Sequence, residues 1–246
     1  MAQPPASPKR VPPGSVPPSR APGDLARIAE ATAMVLAGIP PGVTVVAAAK
    51  TRGIDEVKAV LDAGVSAVGH NYVQEAAPMV ADLGHAARWH MIGHLQRNKA
   101  GIAAELFDVV ETVDNVRLAA ALNRRCAAAE RVMPVLLEVN SAREPGKSGV
   151  LPEDLEQLAA AVAELGHLRL SGLMTMGPVA DDPEDMRPYF AATREALEEL
   201  RRLDLPHAEL RELSMGMSDS YLVAIEEGAT MVRLGTVLFG PRPARG

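Results

Sequence analysis

The sequence predicts a single (β/α)8 barrel of the TIM type, preceded by an extra N-terminal helix. Three observations predict it. Short apolar runs alternate with longer amphipathic ones, as parallel strands separated by crossover helices require. The apolar runs number eight. A chain of 246 residues with 48% hydrophobic content can bury one large core as one domain. An open doubly wound sheet shares the same local pattern, since no single segment records closure.

Residues 1–22 hold eight prolines interspersed with Ala, Ser, Lys and Arg. That composition breaks helix interiors and buries little apolar surface, so a disordered tail is expected there and the barrel over 23–246. From Asp24 the pattern changes. Leu25, Ile28, Ala29, Thr32, Val35 and Leu36 share one helical face and Gly38 supplies a stop, which predicts the extra helix. The predicted strands are Val43–Ala49, Ala67–Gly69, Trp89–Ile92, Val109–Thr112, Val135–Asn140, Leu170–Met174, Glu212–Met215 and Met231–Leu234. Among the intervening helices, one opens at Pro152, Glu153 and Asp154. It aligns Leu155, Leu158, Ala159 and Val162 on a face and is closed by Gly166.

A net charge of −6 provides no basic field to attract a phosphate backbone, which argues against nucleic-acid binding. The single Cys126 cannot form an internal disulfide and reads as a small helix residue in a reducing compartment. No apolar stretch approaches the roughly 20 residues of a membrane span. The Met1 end lacks the apolar region of a secretory signal. A cytoplasmic location follows as the expectation.

In such a barrel the chemistry belongs at the C-terminal strand ends, where the loops form one concave face. The first strand ends in Lys50, after the run Val45-Val46-Ala47-Ala48-Ala49. A lysine at the rim of an apolar barrel can be partly desolvated. Desolvation disfavours the ammonium and yields the neutral amine that attacks an aldehyde to form an imine. A solvated strand-end lysine has the same spacing. The eighth strand ends Arg233-Leu234-Gly235-Thr236, where a glycine followed by a hydroxyl residue can offer backbone N–H groups and a side-chain donor to a phosphate. After the seventh strand, Gly216 frees the backbone and Ser218 is placed to cap the next helix. Each turn alone is compatible with ordinary capping.

These segments also carry a family resemblance. Ala49-Lys50-Thr51, Asn71-Tyr72-Val73-Gln74-Glu75 and the run Trp89 to Lys99 resemble the pyridoxal phosphate homeostasis proteins. So do Lys147-Ser148-Gly149, Leu173-Met174-Thr175-Met176, Leu213 to Asp219 and Arg233-Leu234-Gly235-Thr236, all in family order. The resemblance implies a fold like the N-terminal domain of alanine racemase and pyridoxal 5'-phosphate (PLP) as cofactor, held as a Schiff base on Lys50. It further implies that Asn71, Ser214, Met215, Gly216, Arg233, Gly235 and Thr236 surround the cofactor's ring and phosphate. Two positions depart from the family pattern: His70 stands where the family usually has glutamate, and Tyr72 where arginine is frequent. His70 puts a carboxylate at the rim in doubt.

The resemblance places Arg233 against the pyridine nitrogen. A guanidinium can only donate, so the ring nitrogen stays unprotonated and the cofactor becomes a weaker electron sink. In alanine racemase a further C-terminal domain supplies a tyrosine as the opposing base, whereas this sequence reaches Gly246 soon after its eighth strand. A non-catalytic PLP carrier is therefore the leading expectation, with PLP-dependent apoenzymes as acceptors and a monomer or weak dimer as its state. A low-activity amino-acid racemase and a cofactor-free Schiff-base aldolase are the alternatives.

Three other signals are set aside. Gly146-Lys147-Ser148 looks like part of a nucleotide-binding loop, but Ser141 occupies the position of the earlier glycine. His90 and His94, with His70 nearby, suggest a metal, but their strand spacing does not converge as it would on a helix, so no metal is assigned. Tyr189 and Phe190 read as core.

Overall fold

The computed structural model describes residues 21–241. The expected tail, residues 1–20 in particular, and residues 242–246 lie outside them. Helix α1 (Pro22–Gly38) leads into β1 (Thr44–Ala48), α2 (Ile54–Asp62), β2 (Ala67–His70), α3 (Val73–Leu83), β3 (Arg88–Met91) and α4 (Ala100–Leu106). The chain continues through β4 (Val109–Val113), α5 (Val116–Ala128), β5 (Met133–Val139), α6 (Leu155–Ala163), β6 (Leu168–Thr175) and α7 (Arg187–Arg201). It ends with β7 (Ala208–Ser214), α8 (Tyr221–Glu226), β8 (Met231–Leu234) and the single turn α9 (Thr236–Phe239). All eight strands pair in parallel and in order. The barrel closes where β8 meets β1, with Val46 opposite Arg233 and Ala47 opposite Leu234.

Strand alternation divides the interior in two. Val45 and Ala47 of β1, Val68 of β2, Trp89 and Met91 of β3 and Val232 and Leu234 of β8 join the large cluster beneath the helices. Their neighbours Val46, Ala67, Ile92, Leu136, Met174 and Met231 form a separate, smaller cluster inside the barrel. Eight strands leave a lumen that side chains can fill.

Gly172 shows how tightly the wall is drawn. Its φ is 155°, and a Cβ there would stand 1.8 Å from the Glu212 carbonyl oxygen across the β6–β7 register shift. Strand β7 begins at Ala208, four residues before the sequence suggests. Its lower half exposes Glu209 and Arg211 around Leu210, a polar alternation that hides a strand from an apolar-run reading. No helix among the described residues is long and apolar enough to cross a membrane.

Candidate functional site

Lys50 leaves the top of β1 half-buried, and the chain turns sharply behind it. Thr51 adopts φ 64°, a left-handed conformation costly for a β-branched residue. Its hydroxyl donates to the Lys50 carbonyl at 2.6 Å, and its N–H reaches Glu75 Oε2 at 3.5 Å. The Lys50 ammonium stands 5.3 Å from the centre of the Tyr72 ring, within cation–π range. Next in sequence, buried Arg52 donates to the Gly240 carbonyl at 2.6 Å and to Glu56 Oε1 at 3.2 Å. The turn carrying Lys50 is thereby fastened to the end of α9.

The β8 turn lies alongside. Because β1 and β8 pair, Gly235 and Thr236 emerge beside the end of β1, and a Cβ on Gly235 would come within 3.6 Å of the Ala48 carbonyl oxygen. Ser218 was expected to cap the helix that follows it. Instead its Oγ accepts from the backbone N–H of Gly235 at 3.2 Å and of Val237 at 3.3 Å. A short loop after β7 thus spans to the β8 turn, and its oxygen takes the N–H groups that an anion oxygen could take. Gly216 makes this crossing possible: φ is +89°, and a Cβ would meet Ala224 Cβ at 2.5 Å. The Gly216 carbonyl in turn accepts from Arg233 N at 3.0 Å.

Beneath these turns a polar chain runs through the lumen. Arg233 donates from Nη1 to Ser214 Oγ at 2.7 Å and from Nη2 to the Thr175 carbonyl at 2.8 Å. Ser214 donates to Glu111 Oε2 at 2.6 Å, and Glu111 Oε1 lies 2.6 Å from His90 Nδ1. All four side chains are buried. Burial pulls the Arg233 guanidinium below its usual range, while the charges of Glu111 and Glu138 act in the opposite direction. Burial alone would raise the Glu111 carboxyl. The hydrogen bond and charge of His90, the charge of Arg233 and the Ser214 hydroxyl overcome it and hold that carboxyl below the ordinary range.

A cavity of about 530 Å3 opens at the same end, within the size range of small-molecule sites. Asn71, His94, Glu138, Lys147, Met176 and Met217 are on its wall. It is built from loops after β2, β3, β5, β6 and β7, so Lys50 and the Gly235–Thr236 turn flank it from the β1–β8 side. Glu138, on β5, is buried, and among the described residues its Oε2 has no hydrogen-bond partner. Burial pushes its carboxyl up to about 7, Asp114 adds to the rise, and Arg233 opposes it.

The structure gathers most of the residues the sequence singles out, but not all. Ser214 and Arg233 form the floor, Asn71 the wall, and Lys50, Gly235 and Thr236 the flank. Met215 faces the other way: its side chain is fully buried in the outer cluster, and its N–H bonds to the Met231 carbonyl, so it contributes backbone geometry. His70 also points outward, stacked on Trp89 with ring centres 5.9 Å apart, and does not replace a rim carboxylate. His70 and His90 therefore do not converge with His94, which pairs loosely with Ser148 Oγ at 3.2 Å. In the loop resembling a nucleotide-binding motif, Lys147 is paired with Glu144. Phe190 is core as expected, and Tyr189 is half-buried.

Sequence reasoning missed Glu111, His90, Glu138 and the bridging role of Ser218. The first three carried a readable signal, since each interrupts an apolar strand at a position whose alternation points into the barrel.

A closed eight-strand barrel with a strand-end lysine and joined β7 and β8 turns defines a class of protein. Residues 23–243 match the alanine racemase N-terminal domain family model. The chain belongs to the pyridoxal phosphate homeostasis protein family. It is 42% identical over 218 residues to the pyridoxal phosphate homeostasis protein of Pseudomonas aeruginosa, covering 88% of this chain and 92% of that protein. It is 39% identical over 207 residues to the protein of that name from Escherichia coli, covering 82% and 87%. Among solved structures, PipY from Synechococcus elongatus, determined with PLP bound, superposes with a TM-score of 0.80 at 35% identity, covering 87% of this chain and all of that one. Alanine racemase from Corynebacterium glutamicum, at 21% identity and a TM-score of 0.71, shares the fold over 89% of this chain and 61% of its own.

Proposed function

We propose that the protein binds PLP and serves intracellular PLP homeostasis as a reversible carrier, with Lys50 as covalent anchor. The observation that carries this reading is the β1–β8 junction. It sets an amine and a Gly-Thr turn side by side at one rim, above a buried guanidinium.

The residues present fit the group. Bound PLP supplies an aldehyde for imine formation with a lysine amine, a phosphate and a pyridine nitrogen. Thr236 and the Ser218 hydroxyl offer phosphate donors at the rim, and Gly235, whose N–H donates to Ser218 Oγ, keeps the turn open to a close approach. Arg233 is held from below by Ser214 and the Thr175 carbonyl and remains a donor toward the ring. Asn71 borders the mouth from the β2 side. Gly216 and Met215 fix the backbone of the β7 loop that carries Ser218.

A guanidinium against the ring nitrogen favours storage over carbanion chemistry, so the reading is a carrier supplying PLP-dependent apoenzymes in the cytoplasm, as a monomer or weak dimer. Buried Cys126 suits such a reducing compartment. The test is borohydride reduction of PLP-saturated protein, followed by intact mass and peptide mapping. The added mass is expected on Lys50 and absent from Lys50→Ala; an adduct elsewhere, or none, overturns the anchor. Thr236→Val is expected to weaken PLP retention about tenfold, the worth of one hydrogen bond to a charged group; unchanged retention removes Thr236 from the clamp.

A further inference from the structure

A carrier anchored through a lysine needs a route of release, and the structure holds a group suited to it that the carrier reading leaves unused. Glu138 lies on β5. In a closed eight-strand barrel ordered β1 to β8, β5 is diametrically opposite β1, whose end bears Lys50. The Glu138 side chain is only 7% exposed, lines the mouth cavity, and has one oxygen without a hydrogen-bond partner among the described residues. Buried carboxylates ordinarily find donors. Arg233 is committed to Ser214 and Thr175, and Glu111 to Ser214 and His90; His90 bonds through Nδ1, and its Nε2, like Glu138 Oε2, has no partner among the described residues.

We propose that Glu138 takes the proton from an incoming primary ammonium, such as that of an amine or amino acid, and so enables this amine to displace Lys50 from the cofactor. The proposal rests on the carrier reading. In the first step one N–H bond of the ammonium breaks, its electron pair stays on nitrogen, and the proton passes to the Glu138 carboxylate. The freed amine would then add to the imine carbon, and the carbon–nitrogen double bond to Lys50 Nζ would be exchanged for one to the new nitrogen. The two amine hydrogens end on Lys50, which leaves as the neutral amine. No electron changes hands, so no oxidant or reductant is needed.

The charged groups around Glu138 set where this switch operates. Asp114 raises the carboxyl together with burial, Arg233 lowers it, and the balance stands at about 7. Lys147, on the same cavity wall, is paired with Glu144, and His94 lies near Asp114 at 3.7 Å. A carboxyl balanced near neutrality can both accept a proton and return it.

Two measurements test the idea. In cofactor-free protein with isotopically labelled glutamate, one side-chain carboxyl is expected to titrate near pH 7 and to vanish in Glu138→Gln; its absence from the wild type overturns the proposal. In PLP-loaded protein, release from Lys50 is followed with methylamine as probe. The wild-type rate is expected to rise about tenfold between about pH 6 and pH 8 and level off, because a carboxylate serves a constant pool of ammonium. Glu138→Gln must draw on free base from solution, so its slower rate should rise about a hundredfold over that interval without a plateau. Identical profiles for the two proteins overturn the proposal. A wild-type protein with no reducible adduct on Lys50 would instead defeat the carrier reading, while the carboxyl titration still judges Glu138.

Discussion

The two interiors of this barrel have opposite chemistry. Between strands and helices, the cluster that includes Val57, Leu122, Phe190 and Leu197 is continuous and apolar. Inside the lumen, six apolar side chains share the space with Arg233, Ser214, Glu111, His90 and Glu138. The outer layer gains from each buried methylene, at about 25 cal/mol per Å2 of apolar surface. The lumen chain gains little net stability, because desolvating an ion pair offsets most of its attraction. The outer layer therefore accounts for stability, and on the carrier reading the polar lumen serves the cofactor at the mouth.

The sharpest way to break this contrast is Glu111→Ala, which removes from buried Arg233 a carboxylate whose charge favours the guanidinium, and from His90 its hydrogen-bonded partner. Removing one partner of a buried pair costs about 4 kcal/mol. Ser214 also loses its acceptor, so Arg233 loses its orientation at the floor. Denaturant unfolding and PLP titration should both report the change, with stability and cofactor retention lost together. Stability lost with retention intact, measured below the unfolding transition, would show that the lumen chain serves only the fold.

Leu197→Ala is the opposite probe. Leu197 is buried on α7, and truncating it leaves a cavity worth about 3 kcal/mol of stability. It touches no part of the mouth, so PLP affinity per folded molecule should match the wild type. A parallel loss of affinity would mean that the two interiors are mechanically coupled, and the separation of roles drawn here would not hold.

The outer layer was also the legible one. Val45, Ala47, Val232 and Leu234 lie in apolar runs that announce strands, and Leu155, Leu158, Ala159 and Val162 announce a helical face, because hydrophobic periodicity is a local property. Lys50, Gly235 and Thr236 were legible through their place at strand ends. Of the polar lumen, Ser214 and Arg233 were legible through the resemblance, while Glu111 and Glu138 show locally only as interruptions of apolar strands, and their partners are fixed when strands distant in sequence close into a ring. Ser214 and Glu111 are 103 residues apart and share a 2.6 Å hydrogen bond. Met215 misled for a related reason: it lies one residue from Ser214, and strand alternation sends the two side chains to opposite faces. Ser218 misled because a hydroxyl before a helix reads as its cap, whereas the partner it finds is the turn after β8.

His70 offers the smallest and most selective test, because it is a polar group placed in the apolar interior. Both ring nitrogens are enclosed without partners among the described residues, and burial lowers its pKa from 6.5 to about 4. The folded protein therefore resists a proton that the unfolded chain accepts. Acidification from about pH 6.5 toward pH 4 should drain stability, while above that window the imidazole is neutral in both states and the contribution is flat. His70→Phe keeps the stacking on Trp89 and removes the unsatisfied nitrogens, so it should stabilise the protein by about 1 kcal/mol at neutral pH. It should also flatten the acid limb of the stability curve. Because His70 faces outward, PLP retention should not change. If retention did change, the family's usual glutamate and this histidine would share an influence on the mouth that their position beneath the helices does not explain.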